Sequence, residues 1–232
     1  MNPSSPFHIV FAIYPGMTHL DFTGPHQFLS RAPNSKVTVA SAKGGDVAAD
    51  GLTFAGTIRL ADIESCDLIC VPGGVVATQV AQDLEFIEPL RRLALGARYI
   101  TSVCTGSLIL GAAGLLQGKR AACHWAWRDL LPLFGAIVDE GRVVRDGNII
   151  TGGGVTAGID FALVVLEEIA GREVAQTIQL GLEYAPSPPF EAGRPELAPP
   201  EVLERYNRVF SKMVPVRRAE AEVAARALAE LA

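Results

Sequence analysis

The amino-acid sequence predicts an α/β protein, a three-layer sandwich around a mostly parallel central sheet. Three observations predict it. Continuous apolar runs of strand length, such as residues 7–13 (FHIVFAI), call for burial on both faces, as parallel strands have. Segments of helical periodicity alternate with these runs, the pattern of βαβ units with right-handed crossovers. Small-residue turns close three of the runs, at Pro72-Gly73-Gly74, Cys104-Thr105-Gly106 and Gly152-Gly153-Gly154. Ligands of such sheets bind at the carboxyl ends of the central strands, so these turns are expected at one edge.

The first strand stops at Tyr14-Pro15-Gly16, and a helix is expected over 18–31, opening near Asp21 and interrupted or started by Pro25. Residues 36–42 (KVTVASA) read as the second strand, and 47–60 as a hairpin or edge ribbon around Gly51 and Gly56. Residues 66–71 (CDLICV) form a buried strand, and 84–95 a helix ended by Gly96. The β-branched strand 98–103 (RYITSV) runs into Cys104, followed by a helix over 107–113. A helix is expected over 124–134. Short strands follow at 136–139, 142–144 and 148–151, with Asp146-Gly147 as a hairpin turn. Apolar helices at 159–169 and 173–182 complete an α/β domain over 1–200. Six prolines make 184–200 an extended connector, and 201–232 reads as a mixed-charge helical tail, bent or split near Pro215 and packed on the domain or on a dimer partner.

The 232 residues suit one large core, and 49% of them are hydrophobic. A net charge of -5 disfavours non-specific binding to nucleic acid and to anionic membranes. No basic segment precedes the first apolar run, and no stretch reaches the roughly 20 apolar residues that span a bilayer. A cytoplasmic protein with reduced thiols at Cys66, Cys70, Cys104 and Cys123 is therefore expected.

Cys104 is the candidate nucleophile. A cysteine between a buried strand and a helix faces unpaired N–H groups and partial positive charge, which favour a thiolate. The sharp turn is expected to lift the sulfur toward a cleft, in the manner of a nucleophile elbow. The other three cysteines read as core or strand residues, and no second pair at zinc spacing accompanies Cys123-His124. The scattered His8, His19, His26 and His124 leave a Cys–His pair to the fold. Asp21 follows the first strand's turn, where an aspartate serves as a helix N-cap or, buried beside sulfur, as a general acid/base. On residue type alone the N-cap is preferred. Gly73 and Gly74 can aim backbone N–H groups at substrate, or simply close a turn. The run Gly152-Gly153-Gly154 lacks a Walker lysine and reads as a flexible strand-to-helix turn.

Val71-Pro72-Gly73-Gly74 followed by Ser102-Val103-Cys104-Thr105-Gly106 resembles the ThiJ/PfpI superfamily. Longer stretches, LDFTGPHQFL, TSVCTGSLILGAAGLLQGKRA, RVVRDGNIITGGGVTAGIDFAL and LEYAPSPPFEAG, are similar to its bacterial isocyanide hydratase branch. The resemblance implies a flavodoxin-like, class I glutamine amidotransferase-like fold, a homodimer and no cofactor, and the spacing around Cys123-His124 gives no reason to expect a metal. It implies that Cys104 is the nucleophile, Asp21 the general acid/base and Thr105 a hydrogen-bonding site residue, reversing the N-cap preference. Members with protease, glyoxalase or deglycase activity often carry glutamate near the Asp21 position, and several carry histidine after the cysteine; Asp21 and Thr105 agree with the hydratase branch instead.

The implied reaction is hydration of an isocyanide to an N-substituted formamide. Cys104 attacks the terminal carbon, Asp21 delivers a proton, and water hydrolyses the thioimidate. Nitrogen, not an oxyanion, is expected to take the first proton, so an acid matters more there than an oxyanion hole. A redox or ligand sensor using Cys104 oxidation, or a glyoxalase-like enzyme, are the alternatives.

Overall fold

The first apolar run forms strand β1 (Phe7–Ala12), whose last four residues are fully buried. Each such Ile, Val or Phe side chain contributes on the order of 2 kcal/mol by leaving water. The computed structural model describes residues 5–230; residues 1–4, and positions 231–232 at the end of the predicted tail, lie outside the described residues. Helix α1 (His19–Leu29), strand β2 (Ser35–Ser41) and the hairpin of β3 (Gly45–Ala49) and β4 (Leu52–Arg59) follow. Then come β5 (Leu68–Val71), α2 (Ala77–Val80), α3 (Leu84–Gly96), β6 (Tyr99–Val103) and α4 (Gly106–Ala112). A short parallel pair, β7 (Arg120–Ala121) and β8 (Ile137–Val138), brackets a 3-10 helix at Arg128–Phe134. Strands β9 (Val143–Asp146) and β10 (Ile149–Gly152) precede α5 (Ala157–Ala170), α6 (Arg172–Gly181), α7 (Pro200–Phe210) and α8 (Val214–Glu230).

Eight strands make one sheet in the order β3-β4-β2-β1-β5-β6-β10-β9. The members from β4 to β10 run parallel, and β3 and β9 close the edges antiparallel. The chain leaves β1 toward β2 on one side and later returns to β5 on the other, so the strand order reverses between β1 and β5. That reversal opens a crevice beyond the carboxyl ends of the two strands. Because β1→β2 and β5→β6 step in opposite directions, right-handed crossovers put their helices on opposite faces of the sheet. Helix α1 packs on α5 and α5 on α6, while α4 packs on α2, α8 and the 3-10 helix. The approach of α1 to α5 is close: a Cβ on Gly158 would lie 3.1 Å from the Pro25 ring. Pro25 sits inside α1 without ending it.

The expected three-layer, flavodoxin-like sandwich is the observed fold. Several local expectations need correction. Residues 124–134 are not an α-helix; only Arg128–Phe134 is helical, in 3-10 form, because Pro132 has no N–H for an α-helical bond and Gly135 turns left-handed at φ 72°. The β9–β10 turn is Gly147-Asn148, one residue later than expected, with Gly147 at φ 64°. The tail is split near Pro215, one of the two forms expected, into α7 and α8, and Pro215 is the second residue of α8, where its missing N–H costs no bond.

Candidate active site

Strand β6 is buried from Ile100 to Val103 and ends at Cys104, which adopts φ 58°, a left-handed conformation that non-glycine residues rarely take. The surroundings hold it there. Its N–H is shared between the carbonyls of Gly152 and Gly153, at 3.0 and 2.8 Å. Two residues on, Gly106 is pressed against the end of β5; a Cβ there would lie 2.2 Å from the Val71 carbonyl oxygen. Glycine is therefore required for α4 to start so close to the neighbouring strand. The run Gly152-Gly153-Gly154, read from sequence as a flexible turn, fixes the backbone of the candidate nucleophile.

The turns after β1, β5 and β6 meet over this cysteine. Thr18 N–H donates to the Gly73 carbonyl at 2.9 Å, and Met17 bridges Gly74. Gly73 N–H donates to Asp21 Oδ2 at 2.9 Å. Gly74 N–H donates to Thr105 Oγ1 at 2.9 Å, and that hydroxyl donates back to the Gly74 carbonyl at 3.0 Å. A Cβ on Gly73 would fall 2.4 Å from Thr105 N, and one on Gly74 2.7 Å from Met17 Cα. The two glycines thus let three chain segments converge. Their N–H groups, which the sequence reading aimed at substrate, hold Asp21 and Thr105 instead, because those side chains occupy the space in front of them.

Asp21 is the third residue of α1, beyond the N-cap position at Thr18, so it is not the N-cap that residue type favoured. It is fully buried. Its other oxygen, Oδ1, is also buried and makes no well-formed hydrogen bond among the described residues. Burial raises the Asp21 carboxyl from 3.8 to about 7, against the opposing help of Cys104 and Gly73. An orphaned carboxyl oxygen with such an acidity is equipped to take or give a proton near neutrality.

Cys104 is 5% exposed, so the turn does not lift the sulfur into open solvent as expected. Burial, followed by the Asp21 charge and Cys123, pushes its thiol well above the ordinary value, although the Thr105 N–H favours the thiolate. The helix end does not overcome desolvation here. Two adjacent anions in a buried site are costlier than one, so Asp21 and Cys104 together retain at least one proton near neutrality. A thiolate at Cys104 therefore requires that the thiol proton move to Asp21.

Around the pair, Tyr14 is buried with its hydroxyl donating to the Pro72 carbonyl at 3.0 Å. Ser107, on α4, donates to the Cys104 and Ala122 carbonyls. Cys123 is buried and its thiol is raised by desolvation, as expected of an inert core cysteine. Burial pushes Cys70 up to about 12. The histidines find other partners: His8 contacts Ser65 and Thr38, His19 contacts Thr23, and His26 packs on Phe11 and Phe22. His124 Nδ1 accepts from Ala126 N–H, and its ring lies 3.3 Å from where a Gly154 Cβ would sit. Beside that ring, a cleft of about 210 Å³ is lined by residues including His124, Arg128, Arg142, Gly154 and Arg194. Tyr14 was open to sequence reasoning, since it directly follows the first strand. The tail residue Arg217, buried over Trp127, was not.

A sequence model of the DJ-1/PfpI family matches residues 8–168. The chain belongs to the DJ-1/PfpI family. The isonitrile hydratase of Pseudomonas putida is 46% identical over 224 residues, which cover 96% of this chain and 97% of that protein. A ThiJ/PfpI family protein from Pseudomonas syringae superposes with a TM-score of 0.89 at 38% identity, covering 96% and 92% of the two chains. Drosophila melanogaster DJ-1beta superposes at 0.70 with 27% identity, covering 78% of this chain and all of its own. The DJ-1/PfpI match ends at residue 168, so α6, α7 and α8 extend beyond it.

Thr105→Val tests the convergence of the DJ-1/PfpI turns. The variant loses both bonds to Gly74. Turnover is expected to fall about tenfold, with a stability loss of about 1–2 kcal/mol. Unchanged kinetics in a stopped assay would remove Thr105 from the working site.

Proposed function

We propose that this protein is an isocyanide hydratase, converting R–N≡C and water to R–NH–CHO without a cofactor. The observation that carries the reading is the strained elbow at Cys104, at φ 58°, beside a fully buried Asp21 raised to about 7. The isonitrile hydratase of P. putida, 46% identical over nearly its whole length, supports the same substrate class.

The chemistry follows from one proton shared by two groups. Asp21 accepts the thiol proton as Sγ attacks the terminal isocyanide carbon, and the proton passes to that carbon rather than to nitrogen, because the thioimidate carries its new hydrogen on carbon. The product is a thioimidate, Cys104–S–CH=N–R. Asp21, again a carboxylate, takes a proton from water as the oxygen adds to the same carbon, and hands that proton to the nitrogen. Collapse of Cys104–S–CH(OH)–NH–R expels the thiolate, yields the formamide and returns the hydroxyl proton to the pair. Covalent catalysis splits one hard addition into two easier ones. Thr105, Gly73 and Gly74 act by holding Asp21 and the elbow in register.

The same reading assigns residues 1–200 to a catalytic domain and 201–232 to a helical tail, in a cytoplasmic homodimeric lyase. Helix α7 buries none of its residues, and Val202 and Val209 stand exposed on it, which suits a second copy. Oxidation sensing draws less support, since a 5% exposed, raised thiol is slow to oxidise.

The test is purified protein with isocyanides of different bulk, followed by NMR for the formamide, beside a methylglyoxal control. Formamide without lactate is the expected result. Lactate without formamide would move the protein to the glyoxalase class, and neither product would refute the proposal.

A further inference from the structure

A buried charge approaches the same site from the far end of the chain. Arg217, in the first turn of α8, is 7% exposed. Its guanidinium carbon lies 3.9 Å from the centroid of the Trp127 ring. Among the described residues it makes no ion pair and no side-chain hydrogen bond, whereas Arg208 and Arg218 hold Glu204 and Asp129. The nearest acid on its helix, Glu220, is engaged by Thr78 Oγ1 at 2.5 Å and Gln79 Nε2 at 3.1 Å. Buried cations are ordinarily paired, because desolvation without a counter-charge is costly. An aromatic face compensates part of that cost.

The docking of α8 aims the charge. Helix α8 packs on α2, α4 and the 3-10 helix. Helix α2 begins three residues after Gly74, α4 begins two residues after Cys104, and the 3-10 helix follows Cys123-His124. Ala221 and Ala224 are buried in this contact, and Arg218 ties it to Asp129 at 2.6 Å. Cys104 feels the charges of Asp21 from α1 and of Cys123, and its own charge is felt at Tyr14 from the turn after β1, at Tyr206 from α7 and at Arg217. Arg217 feels Cys104, Glu220, Tyr206 and Tyr14, and its own charge is felt at Cys123 and His124. Burial, then Arg217, lowers His124 to about 4, so His124 is neutral at pH 7. Arg217 is then the permanent cation of this group among the described residues.

We propose that Arg217 is a positioning residue whose fixed positive charge, carried to the site by α8, stabilises the Cys104 thiolate as Asp21 takes its proton. The inference rests on Cys104 being the nucleophile. Since the family match ends at residue 168, this cation is added to the shared sheet by the C-terminal segment.

The test is the rate at which iodoacetamide alkylates Cys104, followed across pH, with the modified cysteine located by mass spectrometry. Arg217→Met is expected to slow alkylation at neutral pH on the order of tenfold and to move its pH profile upward, and Arg217→Lys to restore most of the rate. Identical profiles for Arg217→Met and the parent, or equal deficits for Met and Lys, would overturn the proposal. Glu220→Gln leaves Arg217 in place and removes the acid beside it, so its profile is expected to move downward. That variant decides the matter if Arg217→Met does not fold, and no shift would count against the idea. Alkylation needs no turnover. A protein inert to isocyanides yet dependent on Arg217 would refute the hydratase reading and leave this one standing.

Discussion

Cys104→Ala is expected to abolish isocyanide hydration, with turnover down by at least about 10⁴-fold. The reason is that the proposed route has no second nucleophile. Asp21 is held by Gly73 N–H through Oδ2 and is placed to move protons, and Cys123 is a buried thiol raised by desolvation. The fold should survive. Alanine keeps the backbone bonds from the Cys104 position to Gly152 and Gly153 and inherits the left-handed φ of 58°, so the melting temperature should change little. Cys104→Ser is expected to be similarly inactive, because a hydroxyl ionises far less readily than a thiol. The check is formamide production by NMR beside a thermal melt. A folded Cys104→Ala protein with more than about a hundredth of parental turnover would mean that Asp21 activates water directly, without a covalent intermediate.

Asp21→Asn is expected to have opposite effects on rate and on stability. The amide can still accept from Gly73 N–H, but it can neither take the thiol proton nor activate water. Turnover should fall on the order of a hundredfold or more. Stability should rise. The carboxyl stands at about 7 in the folded protein and 3.8 ordinarily, so between those values the folded state binds more protons than the unfolded one. Its contribution is fully present below the ordinary value and is lost as pH rises through about 7. Spread over that interval, the loss is on the order of 4 kcal/mol at about 1.4 kcal/mol per pH unit. An asparagine escapes it, so the variant should melt higher than the parent, and the gap should widen from acid to neutral pH. Parental kcat/KM should climb over the same window, as the pair passes from two protons to one. A variant that is active, or whose melting temperature follows the parent's pH dependence, would show that Asp21 is not the group that titrates.

The elbow itself was legible because it is local. A β-branched strand, one cysteine and a following glycine lie within a few residues, and Gly106 answers a contact, 2.2 Å from its missing Cβ to Val71 O, that no other residue tolerates. The alternation of buried runs and amphipathic segments likewise fixed the layers, since burial on both faces is written into residues 7–13. The region 124–134 was misread because its apolar spacing fits a helix, while Pro132 and Gly135 force a tighter one. Strand β7, of two residues, carries no periodicity to detect, whereas β8 falls within the strand expected at 136–139.

By itself the chain's order of residues determined the sandwich, the turn that carries Cys104 and the edge at which the small-residue loops emerge. These follow from short-range sterics and from which segments must leave water. Tertiary structure alone decided the acidities and the partners. Burial raised Asp21 and Cys104 together, the amides of Gly73 and Gly74 turned to Asp21 and Thr105, and Arg217 came to lie over Trp127 from 90 residues away in the chain. Desolvation and Coulomb energy depend on what surrounds a group in space, and neighbours in space are set only when the sheet has closed.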